Sequence, residues 1–298
     1  MTDARHALLA GIVDYAGLFP PASLGMPEVV ANYASYRASG DAWMLGRLVV
    51  PVARLQEFMA ALDSDREAAK STEGVPWLLA ALGGGDVGRD VGAIRSFNDR
   101  HGERAVVDVL ECKAADVPAI ASIGAAVGGA HLTTYVEIPA ASDPALLVAA
   151  LREHGLRAKI RTGGVTPDAF PPAAHVARFL ARCVAAQVPF KATAGLHHPV
   201  RGDFVLSYAG DAPRGTMFGF LNVFVAAGVL VRGGSEADAE RVLGDSDPHD
   251  FSIEGDVVRW RDQAFSLADL GRLRHAATAF GSCSFREPVD DLAALAPT

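Results

Sequence analysis

Short β-type runs alternate with alanine- and leucine-rich stretches of helical period along most of this chain, and that alternation limits it to few architectures. The strand-like segments are Gly46 to Pro51, Trp77 to Leu82, Ala105 to Glu111, Thr133 to Pro139, Ala158 to Thr162, Pro189 to Thr193, Gly219 to Phe224 and Phe280 to Ser284. Between them, Pro144 to His154 aligns Leu146, Leu147, Ala150 and Leu151 on one helical face before Gly155 stops it, and Ala173 to Ala186 repeats the pattern with Val176, Phe179, Leu180 and Val184. Strands that alternate with helices imply a parallel sheet covered by helices. Eight of them in 298 residues fit a closed α/β barrel, a (β/α)8 TIM barrel in a single domain spanning 1–298, since that fold takes roughly 250 residues.

Two regions complicate the count. Gly11 to Phe19 is a ninth strand-like segment that either precedes the barrel or displaces one of the eight. The stretch of about 228–266 is no simple crossover: within Phe251 to Phe265, Glu254-Gly255-Asp256 has the composition of a hairpin turn. It reads as a small β-hairpin insertion that decorates the barrel before its last strand.

Composition narrows the function classes. The formal net charge is -8 and the sequence pI about 5.6, which argues against a nucleic-acid partner. No apolar run is long enough to cross a bilayer, and the opening Met-Thr-Asp-Ala-Arg-His has no apolar stretch behind a basic start, so neither membrane nor export is expected. Three scattered cysteines, Cys112, Cys183 and Cys283, with no Cys-x-x-Cys pair, indicate neither a disulfide framework nor a structural zinc site; each reads as a small buried hydrophobe in a reducing cytoplasm. A small molecule is the expected partner, and apolar outer helices allow a homodimer.

The barrel makes one feature informative. Strands covered on both faces are normally aliphatic, yet several here carry ionisable groups near their C-terminal ends, where barrel enzymes place their active sites. Residues two apart share a face. Glu111 pairs by parity with Lys113, Tyr135 with Glu137, Lys159 with Arg161, and Lys191 with Thr193, while Asn222 lies near the end of the seventh segment. An unpaired buried charge costs several kcal/mol, about 3–5 when a partner is missing. These groups are therefore either mutual ion pairs that fill the barrel top or groups held for chemistry. Lys159 and Lys191 fall on neighbouring strands about 4.8 Å apart. A second cation and desolvation at that range lower a lysine's pKa, and a neutral amine attacks carbonyls. Glu111 and Glu137 would move protons with help from Tyr135, and Arg161 would hold a carboxylate or phosphate.

These residues resemble those of the deoxyribose-phosphate aldolases, which are Schiff-base aldolases on a (β/α)8 barrel. Ile12 to Ala22 (IVDYAGLFPPA) is similar to that family's opening segment, with Asp14 matching its aspartate. Val107-Asp108-Val109 resembles its strand with an acidic active-site residue. Lys159 to Thr166 (KIRTGGVT) resembles its K-x-I-x-E-T-G-x-L-T strand and turn, and Phe190 to Gly195 (FKATAG) its F-[IV]-K-T-S-T-G strand. Phe280 to Ser284 (FGSCS) resembles its last strand, where Gly-x-Ser-Ser binds phosphate. The resemblance covers about a fifth of the chain and implies that Lys191 forms the imine, with Asp14 and Ser282 on the substrate. Two departures stand out. The family's second lysine, in K-x-A-G-G, has no counterpart in Gly219 to Phe224 (GFLNVF), and Thr133 to Pro139 is an additional strand. By parity, Asp108 and Glu111 point to opposite faces, so at most one belongs at the centre.

The resulting expectation is a carbon–carbon lyase, aldolase-like, acting on a small anionic carbonyl compound without a cofactor. Its catalytic candidates are Lys191, Lys159, Glu137 and Glu111, and its substrate-binding candidates Arg161, Thr193, His197, Asn222, Asp14 and Ser282. One alternative is a divalent-metal hydrolase, isomerase or lyase whose ion is held by His197, in Gly195-Leu196-His197-His198-Pro199, with Glu111 and Glu137. Another is a non-catalytic barrel that binds a small acid. Gly163-Gly164 and Gly233-Gly234 are weak anion-loop signals, and no G-x-G-x-x-G or P-loop pattern supports a nucleotide. Ser282, Cys283 and Ser284 are candidates to bind a phosphate, and Cys283 is a weak candidate for a thiol nucleophile, since no histidine partner is fixed by spacing.

Overall fold

A computed structural model describes residues 3–295. Its centre is a closed, eight-stranded, all-parallel barrel in a (β/α)8 arrangement. The strands are β1 (Val13–Tyr15), β2 (Leu45–Pro51), β3 (Trp77–Leu82), β4 (Ala105–Lys113), β5 (Thr133–Glu137), β6 (Arg157–Arg161), β7 (Phe190–Thr193) and a closing strand (Ala277–Ser282). The closing strand pairs with both β7 and β1, which seals the cylinder.

Seven of the eight expected segments are barrel strands. The eighth place belongs to β1, from the ninth segment, while Gly219 to Phe224 is instead the start of a helix, Phe220–Val231. The reason is length. An apolar run that is buried all round has neither a period of two nor an amphipathic stripe, so only its extent separates strand from helix. FLNVFVAAGVLV is too long for a barrel whose strands have three to nine residues and continues unbroken to Val231. Phe220 through Leu230 are all buried, and the helix packs against helices Ala173–Ala186, Glu236–Gly244 and Leu267–Ala276.

The expected insertion is present as a three-stranded antiparallel sheet: Phe251–Glu254, Val257–Trp260 and Gln263–Ser266. It leans on the helix Ala4–Leu9 that leads into β1, with the Ala4 N–H donating to the Gly255 carbonyl at 2.9 Å. A second pair, Gly202–Val205 with Arg214–Met217, follows β7 and has no sequence-based counterpart above.

Most of the core lies between the barrel and its helices. The barrel interior holds a small apolar belt, Val49, Ala80, Val109 and Tyr135, with Ala16 and Phe19 against it. Toward the N-terminal strand ends, Arg47 donates to Asp108 through Nε at 2.7 Å and Nη2 at 2.6 Å. The Tyr135 hydroxyl receives a bond from Arg157 at 3.0 Å and lies 2.8 Å from the Thr278 hydroxyl. The β3–β4 register slips by one residue at Asp108, since Leu79 pairs with Val107 and Ala80 with Val109. This irregularity breaks simple alternation: Asp108 meets Arg47, while Glu111 meets the lysines.

Candidate active site

Above the apolar belt, six charged side chains alternate in sign from one side of the barrel to the other. Lys191 on β7 places its Nζ 2.5 Å from Asp14 Oδ2 on β1 and 2.6 Å from Glu111 Oε1 on β4. The other oxygen of Glu111 lies 2.8 Å from Lys159 Nζ on β6, which is also 3.1 Å from Glu137 Oε2 on β5. Glu137 Oε1 reaches exposed Lys113 at 3.3 Å. Strand register supports these pairings, because Lys159 stands opposite Lys191 and Glu137 opposite both Lys159 and Lys113.

Asp14 is held at both oxygens. Its Oδ1 accepts the Arg47 N–H at 2.7 Å, and Gly46 makes the approach possible because a Cβ there would collide with that oxygen. Lys191 is 1 % exposed and Glu111 2 %. Burial alone would lower the Lys191 pKa, but Asp14 and Glu111 outweigh it and hold the ammonium above the ordinary lysine range. This reverses the expectation that a neighbouring lysine makes Lys191 neutral: the carboxylates lie closer to it than any cation. Burial likewise raises Glu111, yet Lys159 and Lys191 bring it down to about 2.

The cluster forms the floor of a cavity of about 150 Å³ whose walls include Phe19, Pro20, Arg161, Thr193, His197 and Cys283. Arg161 is exposed at the rim and Thr193 half-buried. The turn after β7 carries Ala194 and Gly195 with φ of 67° and 72°, and it directs His197 back toward the strand ends. A larger groove of about 810 Å³ adjoins at Leu82, Glu111 and Lys113, between helices Val87–His101 and Val117–Val127. Its Gly83-Gly84-Gly85 loop was not among the sequence signals.

Other candidates fall elsewhere. Asn222 sits in the helix Phe220–Val231, accepts the Arg201 N–H at 2.8 Å and donates to the Val242 and Asp245 carbonyls at 2.7 and 2.8 Å. It ties chain segments together and does not line the cavity, a consequence of the strand that became a helix. Ser282 is buried behind the wall, its hydroxyl 3.5 Å from His197 Nδ1. His197 binds Glu287 Oε2 through Nδ1 at 2.8 Å instead of joining Glu111 and Glu137. Among the described residues, no group of three or more His, Cys, Asp or Glu side chains is placed to hold a metal ion. His198 turns away to Asp291 and stacks on Phe204.

Sequence reasoning missed Glu287, Tyr208 and the pairing of Cys283. Cys283 Sγ lies 3.9 Å from His197 Nε2, and Tyr208 donates to Glu287 Oε1 at 3.0 Å. Glu287 belongs to helix Arg286–Ala294 and Tyr208 to the loop between Val205 and Arg214, so strand parity has no means of bringing them in.

No helix among the described residues is long and apolar enough to cross a membrane. No protein-family model matches the chain, and no curated protein matches it either.

Proposed function

We propose that the chain is a carbon–carbon lyase that binds a small anionic carbonyl compound and activates it as an imine on Lys191. The observation that carries this reading is the seat of Lys191, an amine between two carboxylates on the floor of a cavity at the C-terminal strand ends. The reading also draws on the resemblance of the segments that carry Asp14, Lys159, Lys191 and Ser282 to those of the deoxyribose-phosphate aldolases.

The ammonium must first lose a proton, and Asp14 Oδ2 at 2.5 Å is the nearest acceptor. The freed Nζ lone pair forms the N–C bond as the carbonyl π pair moves to oxygen. That oxygen takes the proton back from Asp14, and with a second proton given up by the adduct nitrogen it leaves as water while the nitrogen lone pair forms the C=N bond of an iminium. The iminium has the same charge as the ammonium it replaces, so Asp14 and Glu111 are already oriented to stabilise it without reorganisation. Scission of the adjacent C–C bond sends its electron pair into the iminium. The hydroxyl proton of the departing fragment goes to Glu137, beside Lys159. Arg161 at the rim pairs with the substrate's anionic group.

The test is reductive trapping. Small aldehydes and keto acids are added with borohydride, and peptides are mapped by mass spectrometry. The expected result is a reduced adduct on Lys191 that is absent from Lys191→Arg. Adducts spread over surface lysines, with none on Lys191, would refute the proposal.

A further inference from the structure

Three thiols in this chain occupy different surroundings. Cys183 lies inside helix Ala173–Ala186 with no polar partner, and burial pushes its pKa up. Burial pushes Cys112 up as well, to about 12. Cys283 is also buried, but it lines the same cavity as Lys191 and has an imidazole at its side.

The arrangement around Cys283 has the parts of an activated nucleophile. Sγ is 3.9 Å from His197 Nε2 and 4.0 Å from Nδ1. His197 Nδ1 binds Glu287 Oε2 at 2.8 Å, which fixes the ring with Nε2 unengaged by Glu287 and the sulfur nearly equidistant from both nitrogens. Glu287 is itself held by the Tyr208 hydroxyl at 3.0 Å, and that hydroxyl lies 3.8 Å from the sulfur. The Sγ–Nε2 distance is long for a hydrogen bond, as such contacts often are before a ligand tightens them. Burial would lower His197, but Cys283 and Glu287 raise it to about 9, which makes the neutral ring a stronger proton acceptor than an ordinary imidazole.

We propose that Cys283, activated by His197 and oriented through Glu287, is a second nucleophile in this cavity and captures small aldehydes as reversible thiohemiacetals. The thiol proton passes to His197. Sulfur then bonds to the carbonyl carbon, the C=O π pair moves to oxygen, and His197 returns its proton to that oxygen. No oxidant or reductant is consumed, and reversal releases the aldehyde. The step requires no imine on Lys191, so it stands apart from the proposed lyase reaction. Both nucleophiles face about 150 Å³, so one bound aldehyde excludes a second.

The experiment follows iodoacetamide labelling of each cysteine by peptide mass spectrometry at about pH 7, where a thiol's rate reports its activation. Cys283 is expected to label at least about tenfold faster than Cys112 and Cys183, and faster than glutathione. His197→Gln slows Cys283 by about tenfold or more without changing the other two, and Glu287→Gln slows it less. Propanal protects Cys283 in the wild type and equally in Lys191→Arg, where no imine forms. Lys191→Met provides the same comparison if the arginine variant melts early by circular dichroism. Labelling no faster than glutathione, or unchanged in His197→Gln, overturns the proposal. Protection confined to chains that retain Lys191 overturns it too, because the adduct then belongs to the lysine. Borohydride trapping on Lys191 is scored separately, so the two proposals fail independently.

Discussion

Replacing Lys191 by methionine removes the cation on which two buried carboxylates depend. Methionine matches the lysine stem in length, so packing changes little and the effect is electrostatic. Asp14 retains the Arg47 N–H and Glu111 retains Lys159, but the contacts at 2.5 and 2.6 Å are lost. Breaking a buried pair from one side costs about 3–5 kcal/mol. In a chain of this size, about 1 kcal/mol moves the melting midpoint by roughly 2 °C, so a fall of roughly 6–10 °C is expected near neutrality. The pH dependence identifies the cause. Glu111 is held near 2 against an ordinary 4.5, so its stabilisation is full above 4.5 and lost as pH falls toward 2. With one ammonium gone, Glu111 takes up a proton at higher pH, and the gap between variant and wild type narrows in acid. The assay is a thermal melt of both proteins near neutral pH and near pH 4. A midpoint unchanged by the substitution, or a gap that does not narrow in acid, would refute the reasoning.

For the wild type, trapping on Lys191 is expected to accelerate as pH rises above neutrality, because the ammonium is held above the ordinary lysine range; a rate falling with pH in borohydride assays would count against Lys191. The stability that the raised Lys191 contributes is complete below about 10.5, the unfolded value, and declines as pH passes above it, which alkaline denaturation measures. Glu111→Gln takes one carboxylate from both lysines, and its trapping profile on Lys191 moves to lower pH than the wild type's. Gly46→Ala puts a methyl group against Asp14 and costs about 1–3 kcal/mol, read as a lower urea midpoint. Asn222→Ala breaks three hydrogen bonds and costs about 2–4 kcal/mol in the same assay, while labelling of Lys191 at low temperature stays as in the wild type.

The barrel was legible because its strands are short and separated by helices of clear period, and Trp77 to Leu82 and Ala173 to Ala186 have the boundaries expected of them. Charge on buried strands was an equally direct signal, and it brought Lys159, Lys191, Glu111 and Glu137 to one place through parity and strand adjacency alone. What parity cannot represent was lost. The slip at Asp108 let both acids of β4 find basic partners, and the uniformly apolar Phe220–Val231 hid a helix and with it the structural role of Asn222. The direction of the Lys191 shift was also beyond reach, because it depends on the seating of Asp14 and Glu111 within 2.6 Å of its Nζ, which strand parity does not specify. Cys283 and His197 meet through loops and a helix after the closing strand, where no periodicity operates.

Asp14 and Lys191 are 177 positions apart, and they touch only because β1 and β7 both border the closing strand. Long-range pairings of that kind come late in folding, since chain entropy must be overcome before they form. A barrel that lacks its first strand, or has not yet admitted its last, therefore holds Lys191 with one counter-charge instead of two. An open barrel then meets an electrostatic penalty at Lys191, so closure of the cylinder also completes the charge pairing of the candidate site.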